Sequence, residues 1–148
     1  MMTNNQQKNV LLVEDSADDV FFIKRACKGS GVAHALQVVG DGEEAIDYLA
    51  GNGVYADRNS HPFPDLVFLD IQLPKRSGHE VLGWIRAQPL MRYLPVVMLT
   101  NSLLGSDVSR AYQQGVNSYM GKIASRDELG QTIRILLLYW LELNVPAR

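Results

Sequence analysis

Short apolar runs and helix-like stretches alternate along the chain. Five short, mostly apolar runs predict β-strands at Val10–Val13, Ala35–Val39, Leu66–Leu69, Val96–Leu99 and Ser118–Met120. The first, third and fourth of these runs show no polar alternation. Continuous apolar strands are typical of a parallel sheet that helices cover on both faces.

The stretches between and after these runs have helical periodicity. Helices are predicted at Ala17–Lys28, Glu43–Ala50, Gly78–Ala87, Gly105–Gln114 and Asp127–Leu143. Ser77 with Glu80, and Ser125 with Glu128, have the spacing of capping boxes at the starts of the third and fifth helices. Five strands that alternate with five helices predict an α/β fold, namely a doubly wound five-stranded parallel sheet.

The length and composition indicate one globular domain. The chain has 148 residues, of which 47% are hydrophobic and 20% are charged, and these proportions disfavour a disordered or fibrous protein. We predict that residues 1–8 form a disordered tail. We predict that residues 9–148 form a single domain that ends in an extended C-terminal helix.

The net charge and the lengths of the apolar runs disfavour nucleic acid and membrane as binding partners. The net charge of −2 provides no basic field for a nucleic-acid backbone. The single cysteine, Cys27, is compatible with a reducing compartment. The longest strongly apolar run, Ile135–Leu141, is far shorter than the roughly 20 residues that cross a bilayer. We therefore predict a cytoplasmic protein that binds neither nucleic acid nor membrane.

Polar side chains follow four of the predicted strands. Glu14 and Asp15 follow the first strand, Asp70 the third, Thr100 the fourth, and Lys122 comes soon after the fifth. The carboxyl ends of parallel strands meet at one edge of a sheet, so we expect these side chains to lie together. Three carboxylates at one place repel each other unless a cation lies among them.

A hard divalent ion with oxygen ligands suits this acidic group, and Mg²⁺ uses one or two carboxylates while it keeps several waters. Asp15 and Asp70 are predicted as direct ligands, with the backbone carbonyl of Gln72 as a third, and Glu14 is expected to act mainly through water. Taken singly, Asp15 also fits a helix cap and Asp70 a turn.

A carboxylate beside Mg²⁺ can also attack phosphorus and form an aspartyl phosphate. Asp70 is the predicted nucleophile because its strand lies between those that carry the other groups. Lys122 and the Thr100 hydroxyl are expected to hold phosphoryl oxygens.

At these residues the sequence resembles the receiver domain of two-component response regulators, from about residue 9 to residue 143. The segments that carry the resemblance are VLLVEDS (Val10–Ser16), DGEEAI (Asp41–Ile46), PDLVFLDIQLPKRSG (Pro64–Gly78), PVVMLTNS (Pro95–Ser102) and the Gly115, Tyr119, Lys122 stretch. The resemblance implies a flavodoxin-like (βα)₅ fold and no enzymatic turnover beyond self-catalysed phosphotransfer and autodephosphorylation.

The resemblance also implies roles for single residues. Asp70 would accept a phosphoryl group from a histidine kinase, and Glu14 and Asp15 would bind Mg²⁺ with it. Thr100 and Lys122 would contact the phosphoryl oxygens. The aromatic residue three positions before the lysine, Tyr119, would turn inward when the threonine moves toward the phosphate.

Two features are similar to stand-alone receivers that partner phytochrome-type kinases: the long loop 51–64 and the Tyr139-Trp140 pair. Two positions depart from the family. Ile123 follows the lysine where receivers usually have proline, and we expect a trans peptide bond there. Asn101 follows the threonine where a small residue is usual, and we hypothesise that it shields the phosphoryl group from water.

The last helix has apolar residues on both sides. Counted at about 100° per residue, one face is predicted to cover the sheet with Leu129, Ile133, Leu136, Trp140 and Leu143. Ile135, Leu138 and Tyr139 point to the opposite side, and an exposed apolar strip often marks a partner surface. In receivers the fourth helix, fifth strand and fifth helix form the output and dimer face, so we predict a homodimer through it.

Three other classes share parts of this pattern. A haloacid-dehalogenase-type phosphatase also uses a strand-end aspartate and Mg²⁺, but it needs a second aspartate two residues later, where this chain has Gln72. A flavodoxin-like binding module needs a phosphate loop rich in Ser, Thr and Gly after the first strand, and the sequence has none. A receiver-like interaction module that works without phosphorylation stays open because of Ile123.

Overall fold

The fold is a parallel sheet wrapped by helices, as a computed structural model of the chain describes it for residues 7–122 and 125–147. The strands are β1 (Asn9–Val13), β2 (Ala35–Val39), β3 (Leu66–Leu69), β4 (Val96–Thr100) and β5 (Ser118–Gly121). The helices are α1 (Ala17–Lys28), α2 (Gly42–Ala50), α3 (Gly78–Ala87), α4 (Gly105–Gln113) and α5 (Arg126–Leu137), and a π-helical segment, Leu138–Leu143, continues α5. Short 3₁₀ turns lie at Gly53–Ala56 and Pro89–Met91.

All four strand pairings are parallel, and the strand order is β2-β1-β3-β4-β5. The chain moves outward from β1 to β2 and then returns to place β3 on the other side of β1. This reversal makes the carboxyl ends of β1 and β3 a topological switch point, where open α/β sheets form their binding sites. The predicted doubly wound five-stranded parallel sheet is confirmed.

Two apolar layers cover the sheet, one on each face. Strand β3 shows the alternation that builds them, because Leu66 and Phe68 face one layer while Val67 and Leu69 face the other, and all four are buried. Helices α2 and α3 supply most of one layer, and α1 and α5 supply the other. Burial on both faces explains why the β1, β3 and β4 runs contain no polar alternation.

Side-chain caps begin four of the helices. Ser77 and Glu80 form the predicted capping box at α3, and the Ser125 side chain accepts a hydrogen bond from the Glu128 N–H at α5. The cap of α1 is Ser16, whose side chain accepts from the Asp19 N–H. The alternative that Asp15 caps the first helix is therefore wrong.

The prediction for the last helix is partly wrong. Leu129, Ile133 and Leu136 are buried as predicted, but Leu143 is 65% exposed, and Leu137 and Leu141 fill the core instead. For Leu141 and Leu143 the cause is the π-helical segment that contains them, in which the Asn144 N–H bonds to the Tyr139 carbonyl five residues earlier. A π turn holds more residues than an α turn, so it changes which residues face the sheet.

The opposite side of the same helix is largely as predicted. Ile135 is 62% and Tyr139 48% exposed, whereas Leu138 is half-buried and packs against the core. Trp140, which was predicted to face the sheet, is half-buried against the same apolar layer. Ile135 and Tyr139 therefore remain as the exposed apolar residues of this strip.

The long loop before β3 is fixed by hydrogen bonds from its own arginine. The Arg58 guanidinium donates to the carbonyls of Tyr48 at 2.8 Å and Leu49 at 2.9 Å, which end α2. Tyr55 in the loop donates its hydroxyl to Glu44 Oε2 at 2.8 Å. These contacts close the loop 51–64 against α2.

Some sequence predictions concern the ends of the described chain. Residues 1–6 of the predicted tail lie outside the described residues, and the Lys8 carbonyl accepts a hydrogen bond from the Ala35 N–H at 2.9 Å. Among the described residues, no helix has both the length and the apolar content that a membrane crossing requires.

Candidate functional site

The site lies at the carboxyl edge of the sheet, where four strands end side by side. Glu14 and Asp15 follow β1, and Asp70 follows β3, its neighbour in the sheet. Thr100 is the last residue of β4, and Lys122 follows β5 directly. The edge predicted from the sequence therefore holds all four groups of residues.

The three carboxylates of Glu14, Asp15 and Asp70 form one cluster. Each offers an oxygen atom, and these atoms all lie within 4.8 Å of one another. Glu14 and Asp70 are 2% and 5% exposed, whereas Asp15 is exposed. Two buried negative charges and a third beside them require a positive group nearby.

Lys122 supplies positive charge to the cluster. Its Nζ lies 2.7 Å from Glu14 Oε1 and 3.0 Å from Asp70 Oδ2. Burial alone would lower the pKa of Lys122, but hydrogen bonds with Asp19, Glu14 and Asp70 outweigh burial and raise the pKa. Burial raises the pKa of Glu14 above its usual range, although Lys122 opposes this effect.

A fourth carboxylate, Asp19, belongs to the site and was missed in the sequence analysis. Its Oδ2 lies 2.7 Å from Lys122 Nζ, and its side chain is 33% exposed. The available signal was its position in the first turn of α1, one turn after Asp15 and beside the same sheet edge. One ammonium thus faces carboxylates from three directions.

The backbone after Asp70 folds closely around this residue. The Gln72 N–H donates to Asp70 Oδ1 at 3.3 Å, and the Gly78 N–H donates to the Ile71 carbonyl at 2.8 Å. A Cβ at position 78 would lie 2.1 Å from the Asp70 carbonyl oxygen, so only glycine lets α3 begin this near the strand. The Gln72 carbonyl as a metal ligand stays a prediction.

Thr100 and Tyr119 meet at Ser102, a second residue that the sequence analysis missed. Thr100 is fully buried, and its Oγ1 accepts a hydrogen bond from the Ser102 N–H at 3.3 Å. The Tyr119 hydroxyl donates to the Ser102 carbonyl at 2.6 Å. Burial raises the pKa of Tyr119, which keeps this hydroxyl protonated. Tyr119 is half-buried and packs against the apolar layer of α2 and α3, so it lies inward.

The residues present fit a hard divalent cation. All three clustered donors are carboxylate oxygens, the ligand type that Mg²⁺ prefers. Glu14 Oε1 is fully buried and lies 2.7 Å from the Lys122 ammonium, and a carboxylate oxygen has a second lone pair beyond this contact. This oxygen therefore keeps free acceptor capacity toward the cluster.

The two positions that depart from the family pattern, Ile123 and Asn101, stay as predictions. Ile123 lies outside the described residues, and so does the predicted trans bond before it. Asn101 is exposed at the end of β4, and its shielding role stays a hypothesis.

A parallel sheet that carries clustered acids, a threonine and a lysine at its carboxyl edge defines a receiver domain. The family described as response regulator receiver domain matches residues 10–134, and the chain belongs to this family. Response regulator Rcp1 of Synechocystis sp. is 36% identical over 145 residues, which cover 97% of each chain.

Solved structures agree with this assignment. A crystal structure of the phosphorylated cyanobacterial phytochrome response regulator RcpA has a TM-score of 0.89 and 36% identity, and the match covers 97% of this chain and 100% of that one. The Mn²⁺-bound form of Rcp1 has a TM-score of 0.85 and 35% identity over 95% of this chain and 99% of that one. The resemblance to phytochrome-associated receivers is confirmed, and an acidic pocket that binds Mg²⁺ or Mn²⁺ is a property of the family.

Proposed function

We propose that this protein is a stand-alone response regulator that accepts a phosphoryl group on Asp70 from a histidine kinase. The observation that supports this proposal is the buried Asp70 carboxylate, which lies 3.0 Å from the Lys122 ammonium and clusters with Glu14 and Asp15. Membership of the receiver family implies a histidine kinase as the phosphoryl donor.

In the proposed reaction an Asp70 carboxylate oxygen attacks the phosphorus of phosphohistidine. The O–P bond forms as the N–P bond breaks, and the electron pair of the broken bond returns to the imidazole nitrogen. Lys122 stabilises negative charge on the phosphoryl oxygens, and the Thr100 hydroxyl donates to one of them.

A divalent ion completes the charge balance of this site. Glu14, Asp15 and Asp70 would hold Mg²⁺, together with the Gln72 carbonyl. When bound, Mg²⁺ neutralises charge on the transferred group. The remaining chemistry is self-directed: the protein transfers the phosphoryl group to itself and loses it by hydrolysis, so it is not an enzyme with an external product.

We propose that the output is a homodimer through α4, β5 and α5. Exposed apolar side chains lie on or beside these elements, at Leu104 (66%), Tyr112 (52%), Ile135 (62%) and Tyr139 (48%). Grouped exposed apolar residues are typical of interaction surfaces. Tyr119, on β5 of this face, is joined to the Thr100 side of the site through Ser102.

Intact mass after incubation with acetyl phosphate and Mg²⁺ tests the phosphoryl acceptor. We expect the mass of one phosphoryl group on the wild-type protein and none on Asp70→Asn. Asp65→Asn makes the same change at the opposite end of β3, where the carboxylate accepts a hydrogen bond from the Asn9 N–H, and this variant should be phosphorylated. A phosphorylated Asp70→Asn protein would reject the proposal.

Sizing of phosphorylated and unphosphorylated protein tests the dimer. Ile135→Glu should run as a monomer under conditions in which the wild type is a dimer. Phe21→Glu is a control of matched chemistry, because Phe21 is 58% exposed on α1, which is not one of the three elements of the proposed face. A wild-type monomer at high concentration in both states contradicts the dimer. A dimer that forms without any phosphoryl uptake favours the phosphorylation-independent interaction module.

The similarity to phytochrome response regulators supports a phytochrome-type kinase as partner. Phosphotransfer rates from purified histidine kinases test this part of the proposal. We expect a phytochrome-type kinase to phosphorylate Asp70 faster than kinases that lack a phytochrome sensor, and equal rates contradict the link.

A further inference from the structure

A hydrogen-bonded network links the loop after β4 to α3. The Ser102 hydroxyl donates to Asp107 Oδ2 at 2.5 Å, and Asp107 Oδ1 lies 3.1 Å from His79 Nε2. Ser102 is in the loop, Asp107 in the first turn of α4, and His79 in the first turn of α3. We call these three side chains the Ser102–Asp107–His79 network.

His79 reaches Asp107 through its ring nitrogen Nε2. It is 3% exposed, and its Nδ1 is buried with no hydrogen-bond partner among the described residues. Because the Asp107 carboxylate can only accept, the contact requires a proton on Nε2, which donates to Asp107. Hydrogen bonds from Ser102 and His79 hold the pKa of Asp107 below its usual range, so Asp107 is the charged acceptor of both.

Ser102 is the residue at which this network meets the candidate site. Its hydroxyl binds Asp107, its N–H donates to Thr100 Oγ1 at 3.3 Å, and its carbonyl accepts from the Tyr119 hydroxyl at 2.6 Å. The side-chain bond therefore restricts the backbone groups that hold both the threonine and the inward tyrosine.

The far end of the network is firmly anchored. The Gln114 side chain at the end of α4 donates to the His79 carbonyl at 3.1 Å, which ties α3 to α4 a second time. The α3 start also lies against Asp70, since Gly78 precedes His79 and touches the Asp70 carbonyl. The loop is thus held relative to the same helix start that packs on the proposed phosphoryl acceptor.

We propose that Ser102, Asp107 and His79 are positioning residues for phosphoryl transfer to Asp70. The network fixes the Ser102 backbone in the arrangement that orients the Thr100 hydroxyl and retains Tyr119 inward. Such pre-organisation lowers the cost of assembling the transfer geometry. This inference rests on the proposed function, because it concerns the rate of that same reaction.

Phosphorylation rates with acetyl phosphate and Mg²⁺, followed by intact mass, test the network. Ser102→Ala should be phosphorylated roughly threefold to tenfold more slowly, the fold-change that corresponds to the net free energy of an ordinary intramolecular hydrogen bond. Ser102→Thr keeps the hydroxyl and should restore the rate to within about twofold. Ser106→Ala removes an exposed hydroxyl in the first turn of α4, next to Asp107, and should leave the rate unchanged.

Additional variants test whether Ser102 and Asp107 act together and whether Tyr119 responds to them. Asp107→Ala should slow the reaction as much as Ser102→Ala, and the double variant should be no slower than either, because both changes break one network. Fluorine NMR of protein labelled with fluorotyrosine reports on Tyr119, whose signal is identified with Tyr119→Phe. Ser102→Ala should shift or broaden this signal in the unphosphorylated protein, whereas Ser102→Thr should not.

The outcomes separate this inference from the proposed function. If the wild-type protein gains no phosphoryl group, the proposed function fails and the inference fails with it. If the wild type is phosphorylated but Ser102→Ala keeps its rate, or Ser102→Thr is as slow as Ser102→Ala, only the inference is overturned.

Discussion

Asp19 and Lys122 are joined by a 2.7 Å contact between carboxylate and ammonium, although they lie 103 positions apart in the sequence. The contact ties the first turn of α1 to the residue after β5. Glu14 and Asp70 contact the same ammonium from the ends of β1 and β3, and Asp19 contacts it from α1. The lysine is therefore fixed by α1 as well as by the sheet.

Removal of this contact should destabilise the fold moderately. Asp19→Asn should lower the free energy of unfolding by about 1 kcal/mol, because the ion pair is only partly exposed to water. Asp18→Asn makes the same change at the neighbouring exposed position and should have little effect. Urea unfolding at one pH measures both, and equal midpoints for the two variants would show that Asp19 contributes nothing specific.

Replacement of Lys122 should make the protein depend on a divalent cation. Lys122→Met leaves Glu14 and Asp70 buried without their ammonium, so the free energy of unfolding should fall by about 3 kcal/mol. Mg²⁺ should then raise the thermal midpoint of the variant more than that of the wild type, because ion and ammonium share the same carboxylates. Thermal unfolding in chelator and with increasing Mg²⁺ measures this difference.

Lys75 offers a matched control for the Lys122 variant. Its ammonium lies 3.7 Å from Asp41 and is 61% exposed, so Lys75→Met should change neither the stability nor the Mg²⁺ response appreciably. An identical Mg²⁺-induced shift in the wild type, Lys122→Met and Lys75→Met proteins is the result that argues against shared carboxylates.

The fold was predictable from sequence because its strands are buried on both faces. The runs at β1, β3 and β4 are apolar without alternation, and this pattern fixed both the strands and the parallel sheet. The parallel strand arrangement also predicted where the acidic side chains lie. Glu14, Asp70 and Lys122 meet because each comes directly after a strand of one parallel sheet.

The missed residues are those whose role depends on side-chain reach. Asp19 meets Lys122 across the gap between α1 and β5, a distance that strand order alone does not define. Ser102 acts through its backbone as well as its hydroxyl, and nothing in its local sequence marks that. Leu143 was misassigned because counting at a constant helical angle assumes an unbroken α-helix, whereas the last residues form a π turn.

The π-helical segment makes a sharp prediction about the core. Leu141 is 6% exposed and Leu143 is 65% exposed, so two leucines two positions apart should respond very differently to truncation. Leu141→Ala should lower the free energy of unfolding by about 2 to 4 kcal/mol, and Leu143→Ala by less than about 0.5 kcal/mol. Urea unfolding compares them, and the reverse order would mean that α5 continues as a regular α-helix.

Cys27 should be chemically inert in the folded protein. It is 3% exposed, and burial raises the pKa of its thiol from 9.0 to about 12, so at about pH 8 its thiolate fraction falls about 10³-fold. Above pH 9.0 the unfolded chain loses this proton while the folded chain keeps it, so the thiol's contribution to stability declines as pH rises toward about 12. Alkylation at about pH 8, followed by intact mass, should therefore be slow in buffer and fast in urea.

The variant Ser109→Cys in a Cys27→Ala background provides the control for this experiment, because it places a thiol on the exposed side of α4 and should react quickly in both buffer and urea. Equal rates for the wild type and this variant in buffer would mean that Cys27 is accessible in the folded state.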